Sequence, residues 1–424
     1  MDIFSAYTKI LTEELKPALG CTEPVAIAYA SAAAAEALGK PFEKLEVRCS
    51  GNVVKNVKSV TVPNSGGMKG IEAAALLGAL GGKASLHLEV LSTVDDAVRC
   101  RVSSLLGSDV CTVSLAEGIA GLYVSAKAIS GDDWSEAVLK ECHDELYSLT
   151  RNGKVIESHS EEKAGSDDLE ALREQLNLSD ILRYAEEVDV EAIRRPLTRQ
   201  VELNRAIAEE GLRNSYGCSI GKTLKKLYDW DDVRIRARAY ASAGSDARMS
   251  GCSLPVVINS GSGNQGLTVS LPVVEYGEYL DAPEEKVLRA LALSNLTAIH
   301  QKKYIGPLSA YCGAVSASAG ASAGIAYLMG GGETEIAKAV SNTLAMVGGI
   351  VCDGAKASCA AKISSSLEAA ILAMEMSLEE KTSFQSGDGL VKDDIEKTIR
   401  AFGKMGKEGM RETDKEILSL MMED

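Results

Sequence analysis

Three cysteines fall between Tyr311 and Lys362 in a setting that packing alone does not explain. Cys312 opens the small-residue run Cys312-Gly313-Ala314-Val315-Ser316-Ala317, and after a helix-length interval come Cys352-Asp353-Gly354-Ala355-Lys356-Ala357-Ser358-Cys359. Thiolates are the protein ligands of iron–sulfur clusters, and a cluster held by only three of them keeps one iron open to a substrate atom. Three cysteines therefore fit chemistry better than electron transfer. On one continuous helix Cys352 and Cys359 would share a face but stand about 10 Å apart along the axis, too far for one compact cluster. Gly354, preceded by Asp353, offers the chain a place to leave helical geometry and fold the sulfurs together. Spacing alone leaves a second reading open, in which all three are small buried hydrophobes, because no C-x-x-C pair singles out a metal site.

Other residues are candidates to complete such a site. Gly20-Cys21-Thr22-Glu23-Pro24 precedes an alanine-rich helix expected over 25–38, with Thr22 as its N-cap and Pro24 tolerated in the first turn. Cys21 would then sit at the positive end of a helix dipole, which favours thiolate; a structural turn cysteine is the alternative. Pro63-Asn64-Ser65-Gly66-Gly67-Met68-Lys69-Gly70 also leads into a helix, so its amides together with Lys69 could hold a carboxylate. An ordinary loop-to-helix connection explains the same residues, and the phosphate-loop pattern is missing. The denser candidate is Asn259-Ser260-Gly261-Ser262-Gly263-Asn264-Gln265-Gly266. Its polar side chains are flanked by apolar sequence and would otherwise be desolvated without purpose. Such a loop is well built to grip a carboxylate with amides and hydroxyls. His300 is a candidate base, although a lone histidine is more often structural.

The elements that must position these residues divide the chain. The expected fold class is α+β: an N-terminal α/β domain with a mixed sheet, followed by a predominantly α-helical catalytic domain. Residues 1–43 read as N-terminal helices packing with the catalytic half, 44–165 as the α+β domain and 166–424 as the all-α cluster-binding domain, with the boundary in the polar stretch 161–168. Strands are expected at 45–49, 57–62, 85–91, 109–115, 122–129 and 154–158, with helices at 70–80 and 94–106 and a loop at 51–56. Beyond the boundary almost everything reads helical, including 190–214, 232–243, 283–300, 308–330, 334–351 and 360–376.

Composition narrows the class of function. A net charge of −15 and a pI near 5.0, with no basic run or basic-aromatic stripe, argue against nucleic acid as a partner. Ten cysteines without framework spacing, and no signal-peptide pattern, point to free or metal-bound thiols in a reducing, cytoplasmic setting. The charge-free stretches 249–274 and 304–332 are long enough to span a membrane. They are crowded with Gly, Ser, Ala and Asn and lack the aromatic flanks of lipid-facing helices, so buried helices and loops of a soluble core, and no membrane partner, are expected. Helices this rich in small residues are also compatible with a homo-oligomer.

Gly20-Cys21-Thr22-Glu23-Pro24, Ser245-Asp246-Ala247-Arg248-Met249, Asn259 to Gly266 and Cys352-Asp353-Gly354-Ala355 with Cys359 recur together, in this order, in the L-cysteine desulfidase family, related to the alpha chain of the iron–sulfur L-serine dehydratases. The chain resembles that family over essentially its whole length. The resemblance implies a 4Fe-4S cluster held by Cys312, Cys352 and Cys359, without pyridoxal phosphate (PLP), and the cleavage of L-cysteine to sulfide, ammonia and pyruvate. It further implies Cys21 as the group that takes the α-proton, Asn259, Ser260, Ser262 and Asn264 as the cradle of the substrate carboxylate, and Lys69 as an assisting cation. Dehydration of L-serine or a related hydroxy-amino acid is the alternative activity. A non-catalytic amino-acid-binding or sensor protein on the same scaffold is a further one.

Overall fold

The computed structural model describes residues 2–119, 121–158, 166–306 and 309–423. Its strands are β1 (Pro17–Leu19), β2 (Lys44–Cys49), β3 (Cys111–Leu115), β4 (Tyr123–Ser130), β5 (Asp133–Lys140), β6 (Leu146–Arg151), β7 (Lys154–Ser158) and β8 (Pro255–Val257). In β2, Leu45, Val47 and Cys49 turn inward while Lys44, Glu46 and Arg48 face out, the period-two pattern of a half-buried strand. The sheet runs β3-β2-β4-β5-β6-β7. Only the β2–β3 pair is parallel, so the sheet is mixed, as the α+β reading requires.

The helix Thr22–Leu38 covers this sheet and packs on the helix Gly70–Gly81. Its alanine-rich sequence is buried on almost every side, and a Cβ at Gly78 would lie 2.1 Å from the Ala28 carbonyl oxygen. Small residues here let two backbones touch. The helix Ile3–Glu14, in contrast, sends Ala6, Tyr7, Ile10 and Leu11 into the core of the helical half, and β1 pairs with β8 across the two halves. The N-terminal residues thus divide between both cores. The helical half is built around the helix Gly313–Leu328, which packs on the helices Gly263–Tyr279, Glu284–Ile305, Glu333–Val347 and Ser358–Leu378. Gly320 approaches the Ser294 carbonyl so closely that a Cβ would stand 2.5 Å from it.

Several expectations differ from the structure. Residues expected as a loop at 51–56 form the helix Gly51–Val57, leaving only an isolated bridge, Thr61 to Lys69, where a strand at 57–62 was expected. The segment Ala84–Thr93 forms 3-10 turns in place of a strand, with a kink at His87, which takes a φ of 46°; Leu88, Val90 and Leu91 pack into the sheet-side core. Strands β5 and β6 carry no expectation at all. The helix expected from residue 308 starts at Gly313, with Leu308 itself outside the described residues, as is most of the boundary stretch 161–168. Helix Val233–Met249 continues through Ser245-Asp246-Ala247-Arg248, which alone does not look helical. Among the described residues no single helix is long and apolar enough to cross a membrane.

Candidate functional site

Backbone pairing brings the first two thiols together. Tyr311 and Val351 form an antiparallel bridge; the Cys312 N–H donates to the Ile350 carbonyl at 3.1 Å and the Cys352 N–H to the Ala310 carbonyl at 2.6 Å. Cys312 is the N-cap of helix Gly313–Leu328. Cys359 lies in the first turn of helix Ser358–Leu378. Between them Gly354 takes a φ of 95°, where a Cβ would stand 2.4 Å from the Lys55 carbonyl oxygen. The left-handed turn therefore serves as expected, and only glycine fits it. The three sulfurs sense one another: burial pushes the Cys312 thiol up to about 12, with Cys352 and Cys359 adding to the rise, and burial followed by Cys352 raises Cys359. Cys312 packs against both hydrophobic cores, so the thiols sit on the seam between the halves. Lys362 braces this loop, donating to the Val351 carbonyl at 2.9 Å and pairing with Asp353.

A second group of side chains borders the same seam. Cys21 is the N-cap of helix Thr22–Leu38, and its thiol donates to Glu23 Oε2 at 3.1 Å. Asn56 donates to Glu23 Oε1 at 2.9 Å, from a helix the sequence did not announce. Burial alone would raise the Glu23 carboxyl, but His143, the Cys21 thiol and Arg248 hold it below the usual range. For Cys21 the outcome is opposite to expectation. Burial, then the adjacent Glu23 charge, raises its thiol well above the ordinary value, overriding the helix dipole because desolvation and a full charge at contact outweigh a partial one. Cys21 rests as a thiol aimed at a carboxylate. Lys302 joins the two groups: burial lowers its ammonium, while Cys352, Cys312 and Glu23 favour the charge.

The other candidates distribute unevenly. Asn259 is buried and donates to Asn295 Oδ1 at 2.9 Å, and Ser260 donates back to Asn259 Oδ1 at 2.9 Å. These two side chains tie the loop to helix Glu284–Ile305 and to itself. Ser262 is the N-cap of helix Gly263–Tyr279 and makes no capping bond with its hydroxyl. Asn264 reaches Met249 Sδ at 3.5 Å, and its buried Oδ1 has no partner. Lys69 is exposed before helix Gly70–Gly81, outside the contacts that join Cys21, Glu23 and the three thiols. His300 is a structural residue, buried with Nε2 2.7 Å from Glu396 Oε2.

Residues without a role in the sequence reading contribute most. Glu23 and Arg248 lie inside motifs, and their signal was a charged residue among small and apolar ones; the end of helix Val233–Met249 is buried from Ala241 to Met249. Lys302 gave no signal, since Gln301-Lys302-Lys303 reads as a solvated helix end.

The fold is α+β, with a half-buried group of thiols between its halves. The profile described as "Serine dehydratase alpha chain" matches residues 85–419, and the chain belongs to that family, a membership that points to a dehydratase-like lyase. The UPF0597 protein of Lachnoclostridium phytofermentans is 52% identical over 413 residues, covering 97% of this chain and 98% of that protein. The UPF0597 protein of Desulfitobacterium hafniense is 46% identical, covering 99% and 97%, and that of Treponema denticola 44%, covering 99% and 98%.

Proposed function

We propose that this protein is an iron–sulfur-dependent lyase that removes the β-substituent of a small L-amino acid, converting L-cysteine and water to pyruvate, ammonia and sulfide. The observation that carries the proposal is the juxtaposition at one seam of three half-buried thiols with the buried Cys21–Glu23 pair. Among the described residues no three His, Cys, Asp or Glu side chains converge as around a single metal ion. A four-iron cluster places each thiolate on a different iron, so such convergence is not required. The donor set fits the cluster: Cys312, Cys352 and Cys359 would hold it, and the buried polar atoms nearby that lack partners, Asn56 Oδ1, His143 Nε2, Arg248 Nε, Asn264 Oδ1 and Gln265 Oε1, are what a site awaiting a polar occupant leaves open. When bound, a cluster with three protein thiolates supplies an open iron that polarises the leaving group as a Lewis acid.

The chain's own residues would then manage the proton. As the Cα–H bond breaks, its proton passes to Cys21 Sγ while the thiol's original proton moves to Glu23 Oε2. The Cα–H electron pair becomes the Cα–Cβ double bond, and the Cβ–S pair departs with sulfide. Aminoacrylate leaves and hydrolyses in water to pyruvate and ammonia. The proton on Glu23 leaves with the departing sulfide. Burial suits this relay, because a carboxylate and thiol shielded from water exchange a proton only with each other and with substrate. L-serine is the second reading, favoured by the family description.

Anaerobic protein reconstituted with iron and sulfide tests the proposal by its iron and acid-labile sulfide content, and by product assays with L-cysteine and L-serine. Release of pyruvate with sulfide, lost together with bound iron in Cys312→Ala, is expected. Wild-type protein that holds no cluster and forms no pyruvate from either amino acid overturns it.

A further inference from the structure

Arg248 is 2% exposed, and among the described residues it forms no ion pair with any carboxylate. Its Nε is buried without a partner, and the one hydrogen bond of its fork runs from Nη1 to Met249 Sδ at 3.3 Å. A guanidinium has five N–H donors and cannot shed its charge. Burying one with no carboxylate in contact costs several kcal/mol, so a fold that does so is expected to present its free donors to an anion arriving from outside. Gly263 supports this purpose. A Cβ there would lie 2.3 Å from Arg248 Nε, so the turn before helix Gly263–Tyr279 is kept bare where the guanidinium passes. Arg248 is also close enough to bear on the charges of Cys21, Glu23 and Cys359.

Acceptors stand near this cation. Asn264 shares Met249 Sδ with Arg248. Gln265, the next residue, packs against Gly313, where a Cβ would meet its side chain at 2.7 Å. Asn264 Oδ1 and Gln265 Oε1 are both buried without donors. A cation with no carboxylate in contact and amide oxygens without donors together complement an α-amino acid zwitterion.

We infer that Arg248 anchors the α-carboxylate of the substrate through its guanidinium fork, with Asn264 Oδ1 and Gln265 Oε1 accepting from the α-ammonium. The inference rests on the proposed amino-acid lyase reading and adds a specificity to it. The ligand must carry a free carboxylate, which Asn259, held by Asn295, and Ser260, bonded to Asn259, leave to another residue to recognise. A planar, bidentate anchor also fixes the Cα–H bond relative to Cys21, which a point charge would do less well.

L-Alanine has the ammonium and carboxylate but no leaving group, and L-alaninamide lacks the carboxylate. Titration calorimetry of the reconstituted holoenzyme should show binding of L-alanine and at least about 30-fold weaker binding of L-alaninamide, as loss of one partner of a buried charge pair implies. Arg248→Met should lose a similar factor for L-alanine while keeping its iron, recover part of it with added methylguanidinium, and no longer distinguish the two ligands; Arg248→Lys should fall between. An Arg248→Met protein with wild-type iron content that binds L-alanine within about threefold of wild type overturns the inference. If that variant does not fold, equal affinity of wild type for both ligands overturns it alone. Wild-type protein that selects L-alanine over L-alaninamide but forms no pyruvate from either substrate would instead refute the lyase reading and leave the anchor standing.

Discussion

The C-terminal helix Arg411–Met422 braces the thiol site through a buried charge, and removing that charge has a calculable effect. Lys55 is 2% exposed and pairs with Asp414, which is 19% exposed; the same ammonium reaches the Cys352 carbonyl at 3.5 Å. Leu418 packs where a Cβ on Gly51 would lie 2.5 Å from its side chain, so the helix lies directly on Gly51–Val57. Asp414→Asn leaves the Lys55 ammonium without its counter-charge. Breaking a buried pair from one side costs about 3–5 kcal/mol, and the partial exposure of Asp414 brings this to about 2–3 kcal/mol. With an unfolding entropy of about 2.1 cal/mol/K per residue, the 424 residues correspond to about 0.9 kcal/mol/K. A fall in Tm of about 3 °C is therefore expected for the apoprotein by scanning calorimetry, with little dependence on salt because the pair is shielded. The double variant Lys55→Met, Asp414→Leu should regain most of the loss, since apolar replacement of both partners is close to neutral. Asp414→Asn melting within about 0.5 °C of wild type, or the double variant melting below the single one, would refute the reasoning.

Further outcomes follow from single residues. Burial raises the Asp246 carboxyl from 3.8 to about 6, against a hydrogen bond from the Gly221 N–H. Its contribution to wild-type stability is full below pH 3.8 and lost as pH rises through about 6, amounting to about 3 kcal/mol at about 1.4 kcal/mol per pKa unit. Asp246→Asn, neutral throughout, should gain on wild type in urea unfolding as pH rises from about 4 to 7, and a difference independent of pH would contradict this. Gly354→Ala places a Cβ 2.4 Å from the Lys55 carbonyl at a φ of 95°. Iron retained after reconstitution should fall several-fold, with a stability loss of about 1–3 kcal/mol; full iron content would show that the turn does not set the thiols.

The legible parts of the site were those whose residue types are unusual for their neighbourhood. Cys312, Cys352 and Cys359 stood out, and Gly354 was correctly read as the turn between the latter two, because a left-handed residue has few sequence solutions. The Asn259–Gly266 loop was legible as polar and buried, but not which of its side chains remain free: Asn259 is taken by Asn295 on another helix, a contact without local trace. Cys21 was placed at a helix start by its neighbours, yet its protonation state depends on Glu23 and on burial. The strand expected at 85–91 failed because alternation persists through His87 while the backbone kinks there.

Residue chemistry and local pattern by themselves determined that the chain has a mixed-sheet part and a helical part and that its small-residue helices pack closely, and they singled out three cysteines as candidates for one site. These follow from side-chain size, period and backbone freedom, which act over a few residues. Only the tertiary structure decided that Ala310–Cys312 pairs with Ile350–Cys352, that Glu23 meets Asn56 beside Cys21, and that Arg248 is buried with no carboxylate in contact. Each joins segments distant in the chain, where desolvation and charge act through space and leave no mark on sequence spacing.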